Sequence, residues 1–108
     1  MTKLFGTDGI RGVANVDLTP RIAYDLGRAT AHRIIGHEGR LLIGQDTRRS
    51  SDMFVAAVAA GAMSMGADVH RLGVCPTPAL AHVTAAGHFT AGVMVSASHN
   101  PAADNGLK

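Results

Sequence analysis

Short apolar runs alternate with helical patterns along this chain, and this alternation restricts the fold more than any other feature. Three runs, at residues 40–44, 68–73 and 90–95, are predicted to be buried strands because they are too short for helices. Helical patterns cover residues 20–35 and 51–65. Strands that alternate with helices form a parallel or mostly parallel sheet with helices on its faces. The expected fold class is therefore α/β, with a mostly parallel or mixed sheet flanked by helices.

Two further segments complete the expected order of elements. Residues 76–86 are predicted to be a loop and a short helix, and residues 4–15 a short strand that runs into a polar loop. Gly27 interrupts the first helical pattern and indicates close packing at that point. The chain is thus expected to carry at least four strands and three helices.

The ends of the two long helices are indicated by their capping residues. Thr19 directly before Pro20 is expected to cap the first helix, because a hydroxyl accepts a hydrogen bond from the free amides of the first turn. Ser50 or Ser51 can cap the second helix in the same way. Gly66 is expected to end that helix.

Composition excludes several classes of function. The length of 108 residues, 46% of them hydrophobic and 17% charged, is typical of one ordinary globular domain. Three Phe, one Tyr and no Trp leave few rings on which bases could stack, and the net charge of +2 comes from scattered arginines, so no nucleic-acid partner is expected. No apolar run reaches the roughly 18–20 residues of a membrane helix, and no secretory signal opens the chain. Cys75 is the single cysteine, which suits a packed thiol in a reducing, cytoplasmic compartment.

Three polar segments follow predicted strands: GTDGIRG, GQDTRRSS and SASHNP. Ligands bind beyond the carboxyl ends of the strands in such sheets, so we expect these segments to gather at one edge. Arg11 lies in the first segment, in a predicted loop whose glycines allow the backbone to approach a ligand closely. Arg48 precedes a helix N-terminus, where an anion meets free amides and the helix dipole. With Lys108 as a further cation, the edge predicts a site for a phosphate or a phosphorylated side chain.

The SASHNP segment is the most irregular of the three. Pro101 disfavours helical geometry at Asn100, and the Asp-Asn-Gly run at 104–106 predicts a second tight turn. Ser98 is therefore expected on a loop at a strand end, where backbone amides can face an anion. Its neighbour His99 does not make a catalytic pair by adjacency alone, so a polar surface turn stays open as an alternative.

These motifs resemble those of a known family. FGTDGIRG near the start, GQDTR in the middle and GVMVSASHNPAADNGLK at the end closely resemble the first domain of the α-D-phosphohexomutases, in order and over essentially the whole chain. The pairing of GTDGIRG with SASHNP looks most like the phosphoglucosamine mutase branch. Those mutases have four domains, so the resemblance implies that residues 1–108 are the N-terminal part of domain 1, with the later domains absent.

The resemblance implies an intramolecular phosphotransferase. The full enzyme would interconvert glucosamine 6-phosphate and glucosamine 1-phosphate, on the route to UDP-N-acetylglucosamine, through phosphoserine at Ser98 and a bisphosphorylated sugar that also serves as activator. Three residues match family positions around the transferring phosphate: Arg11, His99 and Lys108. Three more would support the phosphate or its loop: Ser96, Asn100 and Arg48.

The resemblance also implies a cofactor, partners and a lack of activity in the isolated chain. One Mg²⁺ ion would touch the phosphate on Ser98, with its other ligands on an aspartate-rich loop that this sequence lacks. The partner would be a phosphosugar, and a homodimer of the full-length protein is left open. Without the metal loop and the sugar-recognition loop, the 108-residue chain is expected to be inactive alone. The alternatives are a fragment of a phosphomannomutase or phosphoglucomutase, and a non-catalytic module that binds anions.

Overall fold

The computed structural model describes the chain in four stretches, with only the backbone described in the first and last strands: 10–15, 18–34, 39–96 and 104–107. Three helices and five strands are described, in the chain order β1 Ile10–Val13, α1 Pro20–Ile34, β2 Arg40–Gln45, α2 Ser51–Ser64, β3 Asp68–Val74, α3 Thr77–Ala86, β4 Ala91–Val95 and β5 Asp104–Leu107. The predicted helices and central strands are present within one or two residues of their expected ends. The α/β fold class is therefore confirmed.

The five strands form one mixed sheet in the order β1-β5-β4-β2-β3. Strand β2 lies between β4 and β3 and is parallel to both. Strand β5 is antiparallel to its two neighbours, and it meets β4 through the single pair Val95 and Leu107. The parallel core was predicted, and the antiparallel pair of β5 and β1 extends it on the side of β4.

Two segments that were expected to be loops are strands instead. Arg11 lies on β1, and the Asp-Asn-Gly run at 104–106 lies on β5. The two strands pair with each other from Ile10 opposite Leu107 to Val13 opposite Asp104. Each strand supplies backbone partners to the other, and this long-range pairing overrides the local preference of Asp-Asn-Gly for a turn. Residues 4–9 of the first expected segment lie outside the described residues.

Side chains of the central strands alternate between two cores, as the period of a strand requires. One core joins α1 and α2 to buried strand residues, which are Leu41, Ile43, Val93 and Val95. The other core lies on the opposite face, where Leu42 and Met94 pack with Leu80 of α3. The central strands β2 and β4 are thus covered on both faces, and the polar segments that follow them lie at the end of the sheet.

Helices α1 and α2 approach each other closely through two glycines. A Cβ atom on Gly27 would lie 2.1 Å from the carbonyl oxygen of Val58, and one on Gly61 would lie 2.0 Å from the carbonyl oxygen of Tyr24. Any side chain at either position would therefore collide with the backbone of the other helix. The close packing expected at Gly27 is confirmed, and Gly61 is its counterpart on α2.

The caps of the two long helices differ in how well they were predicted. The hydroxyl of Thr19 accepts a 3.3 Å hydrogen bond from the amide of Ile22, so the expected cap of α1 is confirmed. At α2, Ser50 occupies the cap position but makes no capping hydrogen bond with its side chain. Ser51 is fully buried, and its hydroxyl donates to Asp46 at 2.6 Å instead. Ser51, one of the two serines expected to cap the helix, thus stabilises the preceding loop.

The expected end of α2 at Gly66 is also present. Gly66 has a φ of +91°, a left-handed conformation that suits glycine. Its amide donates to the carbonyl of Met63 at 3.0 Å, and the amide of Ala67 reaches back to the carbonyl of Ala62 at 3.2 Å. This pair of bonds is the Schellman motif, which satisfies the last carbonyls of a helix and turns the chain into β3.

Candidate functional site

The carboxyl ends of the three parallel strands lie at one edge of the sheet. Strand β2 ends at Gln45, β3 at Val74 and β4 at Val95. Helices α2 and α3 begin at the same edge, so the positive ends of their dipoles lie there as well. Two of the polar segments from the sequence, GQDTRRSS and the start of SASHNP, follow β2 and β4 at this edge.

Asp46, the first residue after β2, organises the loop that leads to α2. Its Oδ1 atom accepts hydrogen bonds from the hydroxyl of Ser51 at 2.6 Å and from the amide of Arg48 at 3.1 Å. Its Oδ2 atom accepts from the guanidinium of Arg48, which also forms an ion pair with it. The side chain of Asp46 is 21% exposed and that of Arg48 is 12% exposed. The carboxylate is therefore held by its own loop on several sides and is mostly shielded from water.

The same aspartate connects this loop to β4. Its amide donates to the carbonyl of Val95 at 3.1 Å. Its carboxylate accepts a hydrogen bond from the side chain of Ser96, which is only 6% exposed. The loop after β2 and the residue that follows β4 are thus joined through one residue, by both its backbone and its side chain.

The hydrogen bonds around Asp46 also set its charge state. Burial raises the pKa of the Asp46 carboxyl, but hydrogen bonds from Ser51, from the amide and guanidinium of Arg48 and from Ser96 outweigh burial and hold the pKa below its ordinary value. The group is therefore an anion at neutral pH. Its ion pair with Arg48 balances that charge locally.

This arrangement changes the interpretation of Arg48. The sequence suggested that an anionic ligand would lie at the N-terminus of α2, near this arginine. In the structure the guanidinium of Arg48 binds the carboxylate of Asp46, just before the start of α2. Arg48 braces the loop, which fits a supporting position rather than a direct chemical one.

The other predicted site residues are placed only in part. Arg11 lies on β1 opposite Gly106, and the next residue of β5, Leu107, lies opposite Val95. Since neighbouring strands are about 4.8 Å apart, the backbone of Arg11 runs roughly 10 Å from β4, near the level where β4 ends. The remaining predicted site residues lie outside the described residues, namely Ser98, His99, Asn100 and Lys108.

Asp46 and Ser51 are the site residues that sequence reasoning missed. Both lie in the segment GQDTRRSS, of which only Arg48 was predicted as a site residue. One signal was present, because an acidic residue between a buried strand and a helix start commonly accepts hydrogen bonds from nearby backbone amides. The contact with Ser96 could not be seen in the same way, because it depends on which strand lies beside β2.

Cys75 lies at the same edge as a packed thiol, as predicted. It is partly buried against the core of α3, and its amide donates to the carbonyl of Gln45 at 3.0 Å. A Cβ atom on Gly44 would lie 2.7 Å from its sulfur, so the absence of a side chain at Gly44 leaves room for the thiol. The cysteine thus contributes packing beneath the polar loops.

The chain was compared with known proteins at the level of sequence. The family described as "Phosphoglucomutase/phosphomannomutase, alpha/beta/alpha domain I" matches residues 2–108. Curated phosphoglucosamine mutases are similar over the whole chain, with 54% identity for the protein of Desulforamulus reducens, 55% for that of Exiguobacterium sibiricum and 56% for that of Carboxydothermus hydrogenoformans. The chain spans 25% of the length of each of these relatives.

Solved structures share the fold at lower sequence identity. A putative phosphomannomutase from Thermus thermophilus superposes with a TM-score of 0.88 at 32% identity, covering all of this chain and 26% of that one. A phosphoglucomutase/phosphomannomutase family protein from Burkholderia thailandensis gives a TM-score of 0.82 at 30% identity, covering 97% of this chain and 25% of that one. Sequence, fold and the polar edge of the sheet agree, and the chain belongs to the phosphoglucomutase/phosphomannomutase family through its α/β/α domain I.

Proposed function

We propose that this chain is the phosphoserine-bearing domain of a phosphoglucosamine mutase, which interconverts glucosamine 6-phosphate and glucosamine 1-phosphate. The observation that carries the proposal is the identity of 54–56% with curated phosphoglucosamine mutases over the whole chain, including the segment that contains Ser98. The two solved structures described as phosphomannomutase or phosphoglucomutase/phosphomannomutase family proteins are only 30–32% identical. That difference favours the glucosamine branch over the mannose or glucose branches.

Ser98 is the proposed carrier of the phosphoryl group. In the first half of the reaction a hydroxyl of the sugar phosphate attacks the phosphorus of phosphoserine, and the bond from phosphorus to the serine oxygen breaks. The product is a sugar bisphosphate, which reorients in the site. In the second half the serine oxygen attacks the other phosphate, the bond from that phosphorus to the sugar oxygen breaks, and the sugar oxygen takes up the proton that the serine hydroxyl gives up. This restores phosphoserine and releases the isomeric sugar monophosphate.

Charge neutralisation is the part that this chain would contribute to that transfer. A phosphoserine carries roughly −1.5 to −2 charges at pH 7. Phosphoryl transfer depends mainly on positioning and on compensation of that charge. Arg11, His99 and Lys108 are the proposed partners of the phosphate, with acid or base roles for the groups that can exchange a proton. Asn100 and Arg48 would support the loop.

The described residues do not build a magnesium site of their own. Within residues 10–15, 18–34, 39–96 and 104–107, no group of three or more His, Cys, Asp or Glu side chains converges as a ligand set. At the carboxyl edge, Asp46 is already bonded to Ser51 and Arg48, and Asp52 accepts a 2.7 Å hydrogen bond from Gln45. The proposed Mg²⁺ would therefore take the phosphate on Ser98 as its ligand from this chain, with its remaining ligands from elsewhere in the full-length protein.

The cellular setting of the proposed enzyme follows from its chemistry. Among the helices that the structure describes, none is long and apolar enough to cross a bilayer. A phosphosugar substrate and a single unpaired cysteine fit the cytoplasm, where both phosphorylated sugars and reduced thiols are found. A homodimer of the full-length protein is a further proposal, which its mass in solution would test.

The test is a substrate comparison on the complete protein encoded by the gene that contains these codons. Glucosamine 6-phosphate, glucose 6-phosphate and mannose 6-phosphate are supplied separately with Mg²⁺ and the matching sugar bisphosphate. We expect the highest kcat/KM for glucosamine 6-phosphate and a phosphate on Ser98 by phosphopeptide mass spectrometry. A higher kcat/KM with mannose 6-phosphate or glucose 6-phosphate would assign the protein to the mannose or glucose branch. No turnover with any of the three substrates would favour the alternative of a non-catalytic module that binds anions.

A further inference from the structure

We infer that Asp46 is a positioning residue for the Ser98 segment, which it holds through Val95 and Ser96 without itself touching the substrate. The catalytic consequence of this inference rests on the proposed function. The structural part, that Asp46 fixes the start of the segment, can be tested without any enzyme activity.

Two separate hydrogen bonds reach consecutive residues at the end of β4. The amide of Asp46 binds the carbonyl of Val95 at 3.1 Å, and its carboxylate binds the side chain of the buried Ser96. Ser98 follows Ser96 by two residues, so their Cα atoms are at most about 7 Å apart. A change in the position of Ser96 is thus passed to Ser98 through a very short piece of chain.

The anchor is itself held in place. The hydroxyl of Ser51, which is fully buried, donates to Asp46 at 2.6 Å, and Arg48 donates both its amide and its guanidinium. A carboxylate with this many fixed donors cannot rotate without breaking several hydrogen bonds at once. Asp46 therefore transmits the position of the α2 start to the end of β4.

The charge balance of the anchor suits its place beside a segment that would carry a phosphate. An unpaired carboxylate near a phosphoserine would repel it, because like charges at close range in a poorly solvated site destabilise each other. The ion pair of Asp46 with Arg48 removes most of that repulsion. Arg48 thus offsets the charge of Asp46, so that an acidic residue can hold this segment.

The experiment uses the complete protein and four variants: Asp46→Asn, Ser96→Ala, the double variant and Ser64→Ala. Ser64 is a matched control, because its hydroxyl also takes part in a side-chain hydrogen bond, which it accepts from Arg28 at 3.0 Å. It lies at the opposite end of α2, far from Asp46 in the chain. Amide hydrogen exchange is followed in the peptide that covers residues 95–100. Loss of a buried hydrogen bond to a charged group predicts about tenfold faster exchange there in Asp46→Asn and Ser96→Ala, with no change in Ser64→Ala.

Mutase kinetics give the second readout. We expect kcat to fall about tenfold or more in Asp46→Asn with little change in KM, because the contact acts on the phosphate carrier and not on sugar binding. The double variant should be no worse than Asp46→Asn alone, since both changes break one link. Ser96→Ala keeps the test decisive if Asp46→Asn folds poorly.

The outcomes separate the inference from the proposed function. Unchanged exchange at residues 95–100 in both single variants, or losses in kcat that simply add in the double variant, would overturn the positioning role. Faster exchange in the two single variants, together with a wild-type protein that turns over no hexosamine or hexose phosphate, would support the anchor and reject the proposed mutase activity instead.

Discussion

The amide of Asp46 donates a 3.1 Å hydrogen bond to the carbonyl of Val95, so the loop after β2 is attached to the last residue of β4. Asp46 directly follows β2, which is already paired with β4, since Gln45 lies opposite Val95 in the parallel ladder. The new bond extends the ladder by one step beyond the regular strand. The loop after β2 is consequently attached to β4 at Val95, directly before Ser96.

The low pKa of Asp46 predicts that its contribution to stability disappears in acid. A carboxyl whose pKa is depressed in the folded state stabilises the fold fully above its pKa in the unfolded chain, about 3.9, and loses that effect as pH falls through the folded-state value. Asp46→Asn should therefore be less stable than wild type at pH 7 by about 1–3 kcal/mol. The difference should narrow below roughly pH 4.

Urea unfolding of both proteins between pH 3 and pH 7 measures this effect. The control is Asp25→Asn, because Asp25 is 58% exposed in a surface pair with Arg21 and such pairs contribute about 0–1 kcal/mol. A gap between wild type and Asp46→Asn that stays constant over the whole pH range would contradict the assignment of Asp46 as a partly buried, hydrogen-bonded anion.

The close contact of α1 and α2 at Gly27 and Gly61 predicts that alanine at either position destabilises the protein, although alanine is the better helix former. Replacing a glycine by alanine within a helix normally stabilises by about 1 kcal/mol. At Gly27 the new methyl group would lie 2.1 Å from the carbonyl oxygen of Val58, so Gly27→Ala should destabilise by about 1–3 kcal/mol. Gly61→Ala should behave alike, because it faces the backbone at Tyr24.

Thermal unfolding of these variants gives the sign directly. Ala29→Gly on the exposed side of α1 serves as the reference, since it measures propensity without any collision. If Gly27→Ala proved more stable than wild type, the two helices could not be as close as the structure has them.

The proposed phosphate carrier predicts a large difference between two nearby serines. Ser98→Ala removes the proposed acceptor oxygen but little volume, so the complete protein should fold and lose turnover by several orders of magnitude, as for removal of a catalytic nucleophile. Ser96→Ala should lose less, because its hydroxyl is a structural donor to Asp46. Activity assays with phosphopeptide mass spectrometry decide the matter, and phosphate on Ser96 or an active Ser98→Ala enzyme would reverse the assignment.

The 108-residue chain by itself should show no mutase turnover. Its described residues supply no set of metal ligands, and on the proposed function the sugar-recognition loop lies elsewhere. The assay adds Mg²⁺ and the sugar bisphosphate to the purified chain, with the complete protein at equal concentration as the positive control. Conversion of glucosamine 6-phosphate by the short chain would mean that the catalytic groups are all within it.

The predictable part of the fold is the part that local sequence determines. Strand β2 and helix α2 are visible as a short apolar run and a helical pattern, and Thr19 before Pro20 marks the start of α1. The pairing of β1 with β5 was missed because it joins the two ends of the described chain, and Asp-Asn-Gly taken alone favours a turn. The role of Asp46 was missed for the same reason. Its bonds to Val95 and Ser96 form only because β4 lies beside β2, which local sequence does not show.

The pairing of β1 with β5 has a consequence for the order of events during protein synthesis. Residues 10–13 are made first among the described strands, yet their partner at 104–107 is made last. At roughly 5–20 residues per second, the early strand waits on the order of ten seconds for its partner to be translated. Until β5 is made, β1 and then also the outer edge of β4 lack the strand that lies between them in the sheet, and such open edges can pair with another chain. The nascent protein is thus exposed to misassociation until residues 104–107 are free to pair.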